Sequence, residues 1–169
     1  DPYLVAEMGV AMIEGLQMTA SPDSFNVIAC AKHLIAGSES VNGLNGAPTD
    51  LSERTIREVY LPPYKAAVDA GVFSVMTAHN ELNGIACHAD KWMMTDVLRG
   101  KLGFDGFIVS DWMDIERLST RHFVAENQKE ACYQTIDAGM DMHMHGPNYM
   151  EPVKELVKEG RLTEERINE

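Results

Sequence analysis

Polar and ionisable side chains recur where the apolar runs of this chain end. Lys32 and His33 close residues 25–34, and His79 and Asn80 close residues 73–80. Asp111 lies near the end of residues 106–112, GFIVSDW, and His143 and His145 fall within residues 140–145. A strand buried on both faces has no need of such groups, so their repetition at four strand ends reads as a functional cluster. Two chemistries compete for it. In the first, Asp111 attacks the anomeric carbon of a glycoside, forming a covalent glycosyl-enzyme that water then releases. Lys32 and His33 would donate to sugar hydroxyls, Lys32 would hold a nearby carboxylate ionised by charge attraction, and Trp112 would offer a flat apolar face. In the second, His143 and His145, two apart on one strand face, join His79 and Asp111 around a zinc ion. Metal-dependent barrel hydrolases place a His-x-His pair on an early strand, whereas this pair is on the last. Anchoring of a loop by ring hydrogen bonds is the preferred reading of both histidines.

The elements that must hold these groups follow from patterning. GFIVSDW is a short, nearly all-apolar run bounded by turn residues, as in strands of parallel sheets. Alternation puts Asp111 on the face of Val109 and Phe107. If that face points into a barrel, the carboxylate stands at the C-terminal rim, where parallel α/β folds do their chemistry. The plainer alternative makes Asp111 the N-cap of the next helix. Three further strands are expected over residues 25–34, 73–80 and 140–145.

Helices fill the gaps. Asp1 and Pro2 read as an N-cap and first helical residue. The stripe Leu4, Val5, Met8, Met12 and Leu16 is expected to be core. A loop, residues 19–24, precedes the first strand, and a Gly/Asn/Pro-rich loop, residues 37–50, follows it. A helix from Ser52 toward Gly71 should be kinked or interrupted by Pro62 and Pro63. Others are expected over residues 91–102, 125–138 and 151–159 and from Thr163. The order is one helix and then four β-α units, which implies a parallel sheet with right-handed crossovers. No GxGxxG turn follows a strand, so a dinucleotide-binding sheet has no support. A complete (β/α)₈ barrel needs about 250 residues. The fold class expected is α/β, a partial TIM-like barrel, with residues 1–169 as the C-terminal portion of a barrel domain in a longer chain.

Composition excludes other classes. The chain has 169 residues, 45% hydrophobic and 24% charged, with a net charge of −12. That balance repels phosphate backbones and anionic lipid, so nucleic acid is not an expected partner. No apolar run approaches the ~20 residues of a membrane span, and no signal-peptide pattern opens the chain. Cys30, Cys87 and Cys132 give no disulfide framework, and Cys30 reads as a buried thiol.

Six segments in register then carry a resemblance: DPYLVAEMG, ACAKH, LSERTIREVYLPPYKAAVDAG, SVMTAHNELNG, LRGKLGFDGFIVSDW and AGMDM. Over almost its whole length the chain resembles the catalytic barrel of glycoside hydrolase family 3, the β-glucosidase family. The resemblance implies a retaining, exo-acting β-glycosidase with Asp111 as nucleophile. It implies that Lys32 and His33 hold hydroxyls of the first sugar, in a strained segment that in relatives contains non-proline cis bonds. Met76 would floor that subsite, with Trp112 and Arg117 bordering it. Substrates would be β-linked oligosaccharides or aryl and alkyl β-glucosides, with no cofactor or metal, in a secreted or periplasmic setting.

Departures from the family pattern bear on this. His79 stands where many relatives have tyrosine, and carries a subsite role only weakly. MHMH replaces the commoner DMEMP. The loop KHLIAGSES has no second histidine, which argues against the N-acetylhexosaminidase branch and its histidine acid/base. In the β-glucosidase branch the acid/base is a glutamate from a following domain, and a sugar-binding aspartate and arginine lie upstream. Those parts, and the rest of the barrel, are expected outside this chain. The rival reading from another class is a barrel segment that binds sugar or serves structure without turnover.

Overall fold

A computed structural model describes residues 1–17 and 26–169. The expected loop over residues 19–24 and the expected strand start at Phe25 lie outside the described residues. Helix α1 (Pro2–Gln17) begins as its sequence requires, with Asp1 Oδ1 accepting from Tyr3 N at 2.9 Å. Strand β1 (Cys30–Leu34) follows. A single helical rod then comprises α2 (Glu53–Thr55), a π-helical stretch Ile56–Tyr60 and α3 (Leu61–Asp69). Pro62 and Pro63 do not interrupt it: they occupy the first turn of α3, where a missing N–H costs nothing, and wider turns precede them.

Strand β2 (Ser74–Thr77) leads to a small antiparallel hairpin, β3 (Glu81–Leu82) and β4 (Ile85–Ala86), that the sequence reading did not anticipate. A wide helix, Trp92–Lys101, precedes β5 (Phe107–Val109). Helix α4 (Asp114–Thr120), the helix that the N-cap alternative for Asp111 requires, starts three residues past Asp111. Then come α5 (Gln128–Ala138), capped by Asn127 Oδ1 on Glu130 N at 3.0 Å, α6 (Met150–Lys158) and α7 (Glu164–Asn168).

The main sheet is parallel, in the order β1-β2-β5. Its register sets the two faces. Ala31, Val75 and Ile108 are aligned, and Val75 and Ile108 are fully buried among Val97, Leu98 and Met94 of the wide helix. Each such side chain contributes about 1.5–3 kcal/mol of burial. Lys32, Met76 and Val109 are aligned on the opposite face. Gly106 admits β5 to this sheet: a Cβ there would lie 2.2 Å from the Phe73 carbonyl oxygen.

Three expectations need correction. Residues 140–145 do not form a fourth strand; one parallel bridge, Val109↔Met142, marks where it would pair. Past Met142 the rings of His143 and His145 are drawn to Tyr149 and Trp112, at 4.5 and 3.8 Å between centroids, and the ladder ends. The α1 stripe is not core. Leu4, Val5, Met8, Met12 and Leu16 are exposed, because α1 packs on α3 through its other face and buries only Ile13. Cys30 is exposed, because it lies on the open face of an edge strand, whereas Cys87 and Cys132 are buried.

Candidate active site

Two short parallel strands deliver the groups at the centre of the site. Strand β5 carries the chain to Ser110 and Asp111, and β2 carries it to His79. The peptide bonds Lys32–His33 and Leu34–Ile35 are cis. The β1 register shifts between Lys32 and Leu34, and His33 lies at the same rim. Asp111 is 7% exposed. Its Oδ1 accepts from Trp112 N at 2.6 Å. Its Oδ2 lies 3.3 Å from His33 Nε2 and 3.0 Å from His79 Nε2, without a directed hydrogen bond to either. The cap residue of α4 is Met113, so Asp111 is not that helix's N-cap.

A second carboxylate completes the cluster. Asp114, 1% exposed, faces His79 Nδ1 and accepts from Arg117 Nη1. Arg117 Nη1 also lies 3.4 Å from His79 Nδ1. His79 therefore stands between two carboxylates, one per ring nitrogen. His88, 3% exposed, lies behind them. Its Nε2 accepts from the Asp111 backbone N–H at 2.9 Å and is 2.8 Å from Thr77 Oγ1, and its Nδ1 is 3.6 Å from Asp114 Oδ2. Neither Asp114 nor His88 was singled out from sequence. The signals were a carboxylate three residues past Asp111 and a histidine closing the loop ELNGIACHAD.

Electrostatics follow from burial. Loss of hydration pushes His88 down to about 4, against a smaller upward pull from Asp114. His33 is also lowered, chiefly by burial; Asp111 opposes this, while Lys32 and His79 reinforce it.

The remaining candidates divide. Lys32 makes no ion pair with Asp111. It is exposed and, with His33 and His79, lines a cleft of about 620 Å³ that Tyr60 and Tyr64 also line. Met76 is 7% exposed on the Lys32 face. Trp112 is 50% exposed and stacks on His145 with 13° between ring planes. Hydrogen bonds tie that loop to the rim: Ser110 N to Met142 O at 2.9 Å, Met144 N to Ser110 Oγ at 3.0 Å and Met113 N to His145 O at 3.0 Å. His143 stacks on Tyr149 and lies 3.2 Å from Glu116 Oε1. The two histidines thus anchor the loop by stacking rather than by ring hydrogen bonds, and they do not join His79 and Asp111.

Among the described residues, His79, Asp111 and Asp114 offer ligand atoms within 4.8 Å of one another. Zinc takes one nitrogen of a ring at about 2.0–2.1 Å. Here each His79 nitrogen is turned to a different carboxylate, and Arg117 already supplies positive charge to Asp114. The set is arranged as a ladder of charges rather than around a common centre.

Comparison with known proteins bears on the family and the fold. A β-glucosidase from Listeria innocua, solved in complex with glucose, superposes with a TM-score of 0.93 at 38% identity, covering 99% of this chain and 24% of that one. A β-xylosidase of Formosa agariphila is 54% identical over 85% of this chain and 20% of its own length. A periplasmic β-glucosidase of Salmonella typhimurium is 36% identical over 96% of this chain and 21% of its own. The chain spans about a fifth of the length of these curated relatives. Its parallel strands and packed helices form a portion of a TIM-like barrel. Residues 1–169 match the model of the glycosyl hydrolase family 3 N-terminal domain, and the chain belongs to that family.

Proposed function

We propose that this chain forms part of the catalytic barrel of a retaining, exo-acting β-glycosidase in which Asp111 is the nucleophile. The observation that carries the reading is the Asp111 carboxylate at the C-terminal end of β5, its Oδ2 against His33 and His79 beside the Lys32 cleft. An Asp111 oxygen bonds the anomeric carbon as the glycosidic C–O bond breaks. The leaving oxygen takes its proton from an acid outside this chain. Water then attacks the same carbon, the Asp111–sugar bond breaks, and the conjugate base of that acid accepts the proton. Lys32 and His33 would hold hydroxyls of the terminal sugar, Met76 would floor the subsite and Trp112 would border it. Groups that contact the departing carboxylate help the second step, and His79 is placed to do so.

The substrates are β-glucosides or β-xylosides, the two activities that the relatives' names print. The chain's share of its relatives supports reading residues 1–169 as a segment whose acid/base and remaining strands lie elsewhere in a longer protein. The outward-facing α1 stripe and the edge of β1, unpaired among the described residues, agree with that.

A 2-deoxy-2-fluoro β-glycoside with a good leaving group tests the assignment in the complete enzyme. The expected result is a fluoro-sugar adduct on the peptide holding Asp111. An adduct mapped to another carboxylate overturns it.

A further inference from the structure

His88 is an enclosed ionisable group behind Asp111, and the proposed chemistry leaves it without a role. A backbone N–H can only donate. The 2.9 Å bond from Asp111 N therefore requires a bare Nε2 on His88. Thr77 Oγ1, 2.8 Å from the same nitrogen, must then act as a donor or stand by. A neutral ring with a bare Nε2 carries its proton on Nδ1, which faces Asp114 Oδ2 at 3.6 Å. Asp114 is itself held by Arg117 and by His79 Nδ1. One buried carboxylate thus reaches Asp111 by two routes: through His79 to its side chain, and through His88 to its main chain.

We propose that His88 is a positioning residue for Asp111, its Nδ1-protonated tautomer holding the Asp111 backbone N–H through Nε2, with Asp114 on the Nδ1 side. This rests on Asp111 being the nucleophile. Ser110 N and Met113 N, on either side, are held by Met142 O and His145 O, whereas Asp111 lies past the last residue of β5 and its own N–H bonds to His88. The N–H of Asp111 has no ladder partner, and His88 supplies the acceptor from the side of β2. Fixing the Cα of a nucleophile fixes the approach of its carboxylate, and misplacement by about 1 Å can cost about a hundredfold in rate.

The complete enzyme is compared as wild type, His88→Leu and His88→Gln. Fluoro-sugar labelling and peptide mapping come first, so that failure of the nucleophile assignment is seen separately; label on another carboxylate removes the premise and the proposal with it. With Asp111 labelled, His88→Leu, which fills the space but cannot accept, is expected to lower kcat about a hundredfold with KM within about twofold. His88→Gln, whose side-chain oxygen can accept the Asp111 N–H, is expected to recover at least about tenfold of that loss. A leucine variant with wild-type kcat, or a glutamine variant no better than leucine, overturns the proposal. Neutron diffraction of the wild-type enzyme covers the case in which the leucine variant does not fold. A deuteron on Nδ1 and none on Nε2 is expected, and one on Nε2 overturns the assignment.

Discussion

His79 Nε2 lies 3.0 Å from Oδ2 of Asp111, while the same ring turns its Nδ1 to Asp114. A tyrosine here, as the family resemblance led one to expect, could approach Asp111 but could not also engage a second carboxylate in this way. The histidine thus makes Asp111 part of a ladder that ends on Arg117. In the proposed mechanism its contact matters most when the carboxylate leaves the sugar. His79→Phe is therefore expected to slow release of the glycosyl-enzyme by about tenfold, or about 1.4 kcal/mol of lost stabilisation. Pre-steady-state kinetics should show a larger burst of the first product; an unchanged burst and steady-state rate would count against the role.

Asp111→Asn keeps the shape of the side chain and an oxygen for Trp112 N. It is expected to fold normally and to lose about 10⁴-fold or more in kcat, as removal of a nucleophile does. Circular dichroism and initial rates on an aryl β-glucoside check both halves. A folded variant with a normal rate would falsify the nucleophile assignment.

His88 makes stability depend on pH in a stated direction. Its value in the fold, about 4, lies below the ordinary 6.5. The unfolded chain therefore binds the extra proton first as pH falls. The contribution of neutral His88 is whole above about 6.5 and is lost as pH drops through about 4. Asp114 and Asp111 oppose the shift, while His79 and His122 reinforce it. Urea midpoints measured from pH 7 to pH 4 should fall for the wild type and fall less for a folded His88→Gln; parallel curves would refute the assignment.

Gly106→Ala is expected to destabilise the protein by about 3 kcal/mol or more, because the added Cβ would sit 2.2 Å from the Phe73 carbonyl oxygen. That carbonyl accepts from Phe107 N at 3.2 Å where β2 meets β5. The denaturant midpoint should drop steeply; an unchanged midpoint would show that the sheet can widen there.

Chelation separates the carboxylate mechanism from metal-assisted hydrolysis. EDTA or 1,10-phenanthroline is expected to leave turnover unchanged. Strong inhibition reversed by zinc would favour the His79, Asp111 and Asp114 set as a metal site.

What could be read beforehand followed the physics of short range. Apolar runs at residues 73–80 and 106–112 announced β2 and β5, and Asp1 and Thr163 opened helices, the last through Thr163 Oγ1 on Arg166 N at 3.2 Å, whereas the expected helix start at residue 125 falls two residues before the actual cap, Asn127. Asp111, His33 and His79 could be grouped because each closes a strand. Asp114 and His88 could not, since their meaning comes from being folded against each other across 26 residues of chain. The fourth strand failed for a related reason: alternating Met and His mimic a strand, but stacking of His145 on Trp112 outcompetes the ladder. The α1 stripe had the right period for a helix, and periodicity does not say which side of the helix finds a neighbour.

That helix has a practical consequence. With Tyr3, Leu4, Val5, Met8 and Met12 each more than half exposed, the 169-residue polypeptide produced by itself carries a greasy flank of several turns. Such a flank recruits detergents, chaperones and its own copies. Light scattering of this polypeptide should therefore rise with concentration, and laboratory work on its chemistry should begin from the complete enzyme proposed above.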